Sequence, residues 1–174
     1  MKKNFKIAAI LMIIAAICGL AVSGMNMFTA PVIVEKQEKK EEALCKEIFA
    51  DYDMKASDEP ITEGLSNEAI VKRVEARNAS GDLLGYIYTI SGKNSYGPIS
   101  LLVGIGADGK LVSAEFLENG QSYGKQVETH VNSSYIPGLT LEEITNIDKR
   151  CGATYGANTV KDLVIIAFKD FDLN

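Results

Sequence analysis

Residues 99–117 run Ile99-Ser100-Leu101-Leu102-Val103-Gly104-Ile105-Gly106-Ala107-Asp108-Gly109-Lys110-Leu111-Val112-Ser113-Ala114-Glu115-Phe116-Leu117. Two apolar runs, Ile99–Ile105 and Leu111–Leu117, flank Ala107-Asp108-Gly109, and an Asp-Gly pair between such runs signals a tight hairpin. Upstream, Val71–Arg77 and Leu83–Ser91 repeat the pattern around Asn78-Ala79-Ser80-Gly81-Asp82, which predicts a second hairpin. Gly92-Lys93-Asn94-Ser95-Tyr96-Gly97-Pro98 joins the two. Downstream the period changes. Val160, Leu163, Val164, Ala167, Phe168 and Phe171 keep i, i+3, i+4 spacing, so a closing helix lays an apolar stripe on the sheet. The expected fold class is α+β, an antiparallel sheet flanked by helices.

Toward the N-terminus, Ile7–Phe28 is a run of 22 residues without a charge. At 1.5 Å per residue it is long enough to cross a hydrocarbon core of roughly 30 Å. Lys2, Lys3 and Lys6 precede it, and the positive-inside bias then leaves the N-terminus in the cytoplasm and the rest outside. A cleavable signal peptide is the competing reading, with Ala21-Val22-Ser23 as its small-x-small site. Retention is favoured because the apolar run continues through Met25, Met27 and Phe28. Cys18 follows bulky Ile17 and reads as an apolar residue of the membrane helix rather than a lipidated cysteine. Ala30-Pro31 is expected to break the helix. Glu35–Tyr52 then reads as a charged helix packing Ala43, Leu44, Ile48 and Phe49 on the domain, and Asp51–Gly64 as a loop. The expected divisions are an anchor over 1–30, a juxtamembrane helix and loop over 31–69, and a folded domain over 70–174.

Beyond residue 28 the chain carries 15 Lys+Arg against 23 Asp+Glu, a net charge of -8. That balance argues against a nucleic-acid partner, which selects a basic face. A single histidine, His130, removes most zinc and Ser–His readings, no metal site is expected, and His130 reads as a surface residue. The three cysteines form no C-x-x-C pair; Cys45 and Cys151 either stay free or bridge in an oxidising compartment.

The segment that carries chemistry is Asp148-Lys149-Arg150-Cys151-Gly152-Ala153-Thr154. Gly152 and Ala153 permit a tight turn and close backbone approach. The backbone N–H groups at the following helix start can receive an anion, with the Thr154 hydroxyl beside it. The plainer alternative is that Thr154 simply caps the closing helix. Asp148 either orients the segment or serves as a solvated turn cap.

This segment resembles the Asp-x-x-(Ser/Thr)-Gly-Ala-(Thr/Ser) flavinylation motif of the FMN-binding domain. That domain occurs in the G subunit of Rnf electron-transport complexes and the C subunit of sodium-pumping NADH:quinone reductases. Tyr96-Gly97-Pro98, followed by Ile99–Gly104 and Asp108-Gly109-Lys110, is similar to the family's Gly-Tyr-Gly-Gly-Pro strand–turn–strand segment. The resemblance spans roughly Ile70–Phe171 and implies that residues 70–174 bind FMN. By position, Thr154 is the residue esterified to the FMN phosphate by a flavin transferase, with Asp148, Cys151, Gly152, Ala153, Tyr96, Gly97 and Pro98 around the cofactor. Tyr96 either stacks near the isoalloxazine or is half-buried packing. Cys151 stands where the family has Ser or Thr. Asn119-Gly120-Gln121-Ser122-Tyr123-Gly124 stands where it has Glu-Thr-Pro-Gly-Leu-Gly. The implied function is electron transfer through covalent FMN in an ion-translocating membrane complex, as a subunit beside other membrane subunits rather than a catalyst alone. Two alternatives are a stand-alone extracytoplasmic flavoprotein and a non-catalytic envelope module.

Overall fold

The computed structural model describes the backbone of residues 2–57, 59–148 and 150–173, with the side chains there except those of 2–5, 26, 28 and 30–34. Lys149 of the chemistry-bearing segment therefore lies outside the described residues. The chain divides into two compact units, one up to Lys40 and one from Glu41.

The first unit is the greater part of α1 (Lys2–Ile48). Its stretch Lys6–Met25 is 20 residues long with a mean hydropathy of 2.6, and no part of it is buried. Such a helix is long and apolar enough to serve as a membrane anchor. The backbone is helical through Ala30 and Pro31, so the break expected there is absent. A proline deletes one i→i−4 hydrogen bond, and the bonds on either side can carry the helix past it.

The second unit is built on a four-stranded antiparallel meander of β1 (Ile70–Arg77), β2 (Leu83–Asn94), β3 (Gly97–Gly106) and β4 (Leu111–Asn119), in that spatial order. Both expected hairpins are present. The connection between them is itself a tight turn: Lys93 pairs with Pro98 and Asn94 with Gly97, leaving only Ser95 and Tyr96 outside the ladder. Tyr96 N–H donates to Asn94 Oδ1 at 2.8 Å, a local turn that replaces the lost ladder bond.

Side chains alternate across the pleat, and both faces are covered. Tyr88, Ile90, Leu101, Val103 and Ile105 point to the larger core, which α2 (Gly124–Ser134), α3 (Leu141–Asn146) and α4 (Thr154–Phe171) close. Ile87 and Leu102 point the other way, onto Cys45, Ile48 and Phe49 at the end of α1. Two-sided burial explains why β2 and β3 read as nearly unbroken apolar runs. At Gly104 an added Cβ would lie 2.2 Å from Ile48 Cγ2, so the helix approaches too closely for any side chain. Burial pushes the Cys45 thiol up to about 11, with the Glu41 carboxylate adding to the shift.

The closing helix behaves as its spacing predicts, with Val160, Leu163, Val164, Ala167 and Phe168 buried. It also brings a charge inside. Asp170, 2% exposed, accepts from Arg73 Nη1 at 3.0 Å and from Ser66 N–H at 2.8 Å. Burial alone would raise the Asp170 carboxyl, but these bonds and the Arg73 charge outweigh it and hold it below the usual carboxylate range. Buried Lys161 donates to the carbonyls of Thr145 and Ile147, tying α4 to the end of α3.

Candidate functional site

Helix α4 begins where the chemistry-bearing segment ends. Its N-cap is Ala153, with φ −134° and ψ 52°, and no side chain caps it. Thr154 is the first helical residue, so the alternative that it caps the helix does not hold. A cap residue needs a non-helical backbone with its oxygen turned to the N–H groups ahead, and Thr154 is already inside the helix. Its side chain is exposed, and among the described residues its hydroxyl makes no hydrogen bond. The first turn contains no acidic residue, and the first backbone bond across it runs from Ala157 N–H to Ala153 O at 3.1 Å. The N–H groups of Thr154, Tyr155 and Gly156 thus precede any intrahelical partner and face outward with the positive end of the helix dipole. Gly152 supplies the turn into the helix at φ +78°, a backbone conformation that side chains disfavour, with nothing within 4 Å of where its Cβ would stand.

Thr154 stands on the wall of a cavity of about 210 Å³ lined by Tyr96, Gln121, Tyr123, Gly152, Ala153, Thr154, Tyr155 and Gly156. Three tyrosine rings form its aromatic part. Tyr96 lies 5.6 Å from Tyr155 and 6.4 Å from Tyr123, centroid to centroid. All three are exposed, at 43%, 54% and 64% for Tyr96, Tyr123 and Tyr155. A tyrosine that serves only packing hides its ring, whereas these present theirs to the cavity.

Another wall of the cavity rests on backbone laid on backbone. After β4 the chain runs back along the β2–β3 turn: Gly120 N–H donates to Pro98 O at 2.9 Å and Ser122 N–H to Tyr96 O at 3.2 Å. Gly97, at φ +136°, makes this possible, since a Cβ there would meet Gly120 O at 2.1 Å. Gln121 is 9% exposed, and its Nε2 donates to the Gly97 carbonyl. Asn119 then fixes the start of α2, donating to Gly124 O at 3.0 Å and Glu128 Oε1 at 3.1 Å. The stretch 119–124 thus forms a defined wall without the family's Pro-Gly.

Of the residues singled out from sequence, Tyr96, Gly152, Ala153 and Thr154 line this cavity together. Gly97 and Pro98 support it from behind through the Gln121 and Gly120 bonds. Asp148 and Cys151 do not line it. Asp148 is exposed and accepts from Arg150 N–H at 3.1 Å and Arg150 Nε at 3.1 Å, holding the segment's own turn. Cys151 instead lines a second cavity of about 490 Å³ with Lys125, Gln126, Thr129, His130, Ser133 and Arg150. Cys45 and Cys151 are both free thiols; Cys45 lies under the far face of the sheet. His130 is half-buried rather than on the surface, its Nδ1 3.4 Å from Ser134 Oγ and its ring edge against Tyr135.

The resemblance placed Gln121 and Tyr123 only within the stretch standing for the family's flavin-pocket wall, and it did not assign Tyr155 or Gly156 to the site. Nor did it find the two short helices α2 and α3. Their signals exist: Val127 and Val131 at i, i+4 for α2, and Thr140 with Glu143 for α3. The second is a capping box, with Glu143 N–H donating to Thr140 Oγ1 at 3.4 Å and Thr140 N–H to Glu143 Oε2 at 2.9 Å.

Residues 95–169 match the family model of the FMN-binding domain. The matched stretch, similar to the FMN-binding domain of flavoproteins, begins at the β2–β3 turn and ends within α4. Among curated proteins no match to the chain is found. The residues present suit FMN. An aromatic wall can take an isoalloxazine, the uncapped start of α4 has no acidic residue to repel a phosphate, and Gln121 presents an amide to the cavity between them.

Proposed function

We propose that this chain is a membrane-anchored flavoprotein that carries FMN as a phosphoester on Thr154. In this reading it passes electrons within an ion-translocating complex of the Rnf type, with other membrane subunits as partners. The observation that carries the reading is the exposed, unengaged Thr154 hydroxyl at an uncapped helix start, on the wall of a cavity faced by three tyrosines. When bound, FMN supplies one- or two-electron transfer. The chain's own residues do the holding. The N–H groups of the first turn of α4 meet the phosphate charge, and Gly152 and Ala153 leave room for it. Tyr96, Tyr123 and Tyr155 contact the ring and restrict water there. Lys161 anchors the backbone at Thr145 and Ile147, from which the attachment segment departs.

Attachment forms one bond from Thr154 Oγ1 to phosphorus and releases the hydroxyl proton. The donor is a phosphoanhydride of FMN whose other phosphate leaves, and a flavin transferase brings the two together. A covalent link keeps the cofactor on the extracytoplasmic side, where Lys6–Met25 would anchor the chain in the cell membrane with its N-terminus in the cytoplasm. The test is intact mass and peptide mapping after co-expression with a flavin transferase. Wild type and Thr154→Ser should carry FMN on residue 154, while Thr154→Val, nearly equal in volume, should fold without it. FMN mass on any other residue, or a Thr154→Val band that stays fluorescent on a denaturing gel, refutes the assignment.

A further inference from the structure

Resting on that reading, we infer that Gln121 is the cavity's hydrogen-bond acceptor for the flavin, receiving a donor group through its side-chain oxygen Oε1. A primary amide has one donating and one accepting end, and which end faces the ligand is decided by what holds the other. Here the Gly97 carbonyl holds the nitrogen, because a carbonyl can only accept, so Nε2 is committed to the wall. Oε1 is therefore the end left over. It lies over the first turn of α4, where a Cβ built on Gly156 would come within 3.3 Å of it.

Three facts make Oε1 more than a packing atom. The residue is 9% exposed, so the surrounding protein holds most of its side chain in place. Among the described residues Oε1 accepts no hydrogen bond. It is also absent from the sealed, unpartnered polar atoms of the described residues, which are Arg73 Nε, Tyr88 Oη, His130 Nε2 and Asn158 Oδ1. An unpaired acceptor that is not sealed, on a residue lining the cavity, opens into that cavity. An accepting oxygen held this way is one of the few fixed polar groups that orient a ligand in an otherwise apolar site.

The matching group is an N–H or O–H donor. Flavin offers two kinds, the ring N3–H and the hydroxyls of the ribityl chain. The wall stretch 119–124 thus replaces the family's Pro-Gly with a side chain able to choose among ligands: the same pocket bearing Leu or Met at 121 would lose the preference for a donor at this spot.

The experiment uses the full chain in detergent, wild type, Gln121→Leu and Gln121→Met, each prepared with and without flavin attached by a co-expressed transferase. The readout is the rise in Tm on loading, together with the flavin absorption bands. Loss of the Gly97 contact lowers Tm of loaded and unloaded variants alike and cancels in the difference. Loss of an acceptor for the flavin does not cancel, and shrinks the rise by about 3–5 °C for a domain of this size. A smaller rise with shifted absorption bands assigns the donor as ring N3–H. A smaller rise with unchanged bands assigns a ribityl hydroxyl. The same rise and bands as wild type in a folded variant overturn the role of Gln121. Wild-type protein lacking FMN mass overturns the attachment reading itself, and the Gln121 assignment with it. Gln121→Met, closer in shape to Gln, supplies the comparison if Gln121→Leu does not fold.

Discussion

Gly156→Ala tests whether the seam between α2 and α4 is as tight as the geometry says. A Cβ at 156 would lie 2.5 Å from Val127 Cγ2 and 3.3 Å from Gln121 Oε1. Ordinary carbon–carbon contact needs about 3.5–4.0 Å, so one helix must shift by about 1 Å. Val127 is fully buried and has no open space to turn into. Overpacking of that kind costs about 1–3 kcal/mol. Against it stands the helix preference for Ala over Gly, at most about 1 kcal/mol and less in a first turn. The steric term wins, for a net loss of about 1–2 kcal/mol. For a domain of this size that is a fall in Tm of about 3–8 °C. The check is a thermal melt followed by far-UV circular dichroism on wild type, Gly156→Ala, Val127→Ala and the double variant. Val127→Ala alone should destabilise by leaving a cavity. The double variant should be more stable than the two single effects added together, because each substitution relieves the other. A Gly156→Ala protein as stable as wild type, with an additive double variant, would show that the seam is loose and that Gln121 is not pressed against α4.

Acid should weaken the second unit through Asp170. Its folded carboxyl lies below the usual range, held there by Ser66 and Arg73 against the opposing effect of burial, so the stabilisation is present above the unfolded carboxyl value, near pH 4. It is lost as pH falls through the folded value; Asp170→Asn should flatten that part of a stability–pH curve while lowering stability at pH 7, and equal acid sensitivity in both proteins would refute the assignment. A third expectation concerns the thiols. Burial holds the Cys45 thiol at about 11, which leaves little thiolate at pH 8, so Cys45 should resist alkylation in the folded chain and react once the unit unfolds. Mass spectrometry after a short iodoacetamide pulse reads this directly, and Cys45 alkylated as fast as half-buried Cys151 would contradict the packing of Ile48 and Phe49 on the sheet.

The order of elements follows from local patterns. Asp108-Gly109 between two apolar runs specifies a hairpin wherever it occurs, because the turn needs Gly109 at φ +74° and the flanking strands need a buried face. The spacing from Val160 to Phe171 likewise fixes which side of α4 is buried before any partner is known. An uncharged run from Ile7 to Phe28 marks the apolar helix by length alone. The sequence also contained Thr154 and its small neighbours, because their pattern is contiguous.

What the chain could not show locally is what meets Thr154. The cavity joins Tyr96 from a turn, Gln121 and Tyr123 from the stretch after β4, and Tyr155 from α4. They converge because Gly97 lets Gly120 pack against it and the stretch after β4 continues the ladder along the β2–β3 turn. The same step separates neighbours in sequence: Cys151 and Gly152 are adjacent, yet they line different cavities. Periodicity reports which face of one element is apolar, and it carries no record of which distant backbone will approach it. Which end of the Gln121 amide is free depends on the Gly97 carbonyl, supplied by another segment, and only the tertiary structure brings the two within hydrogen-bonding distance.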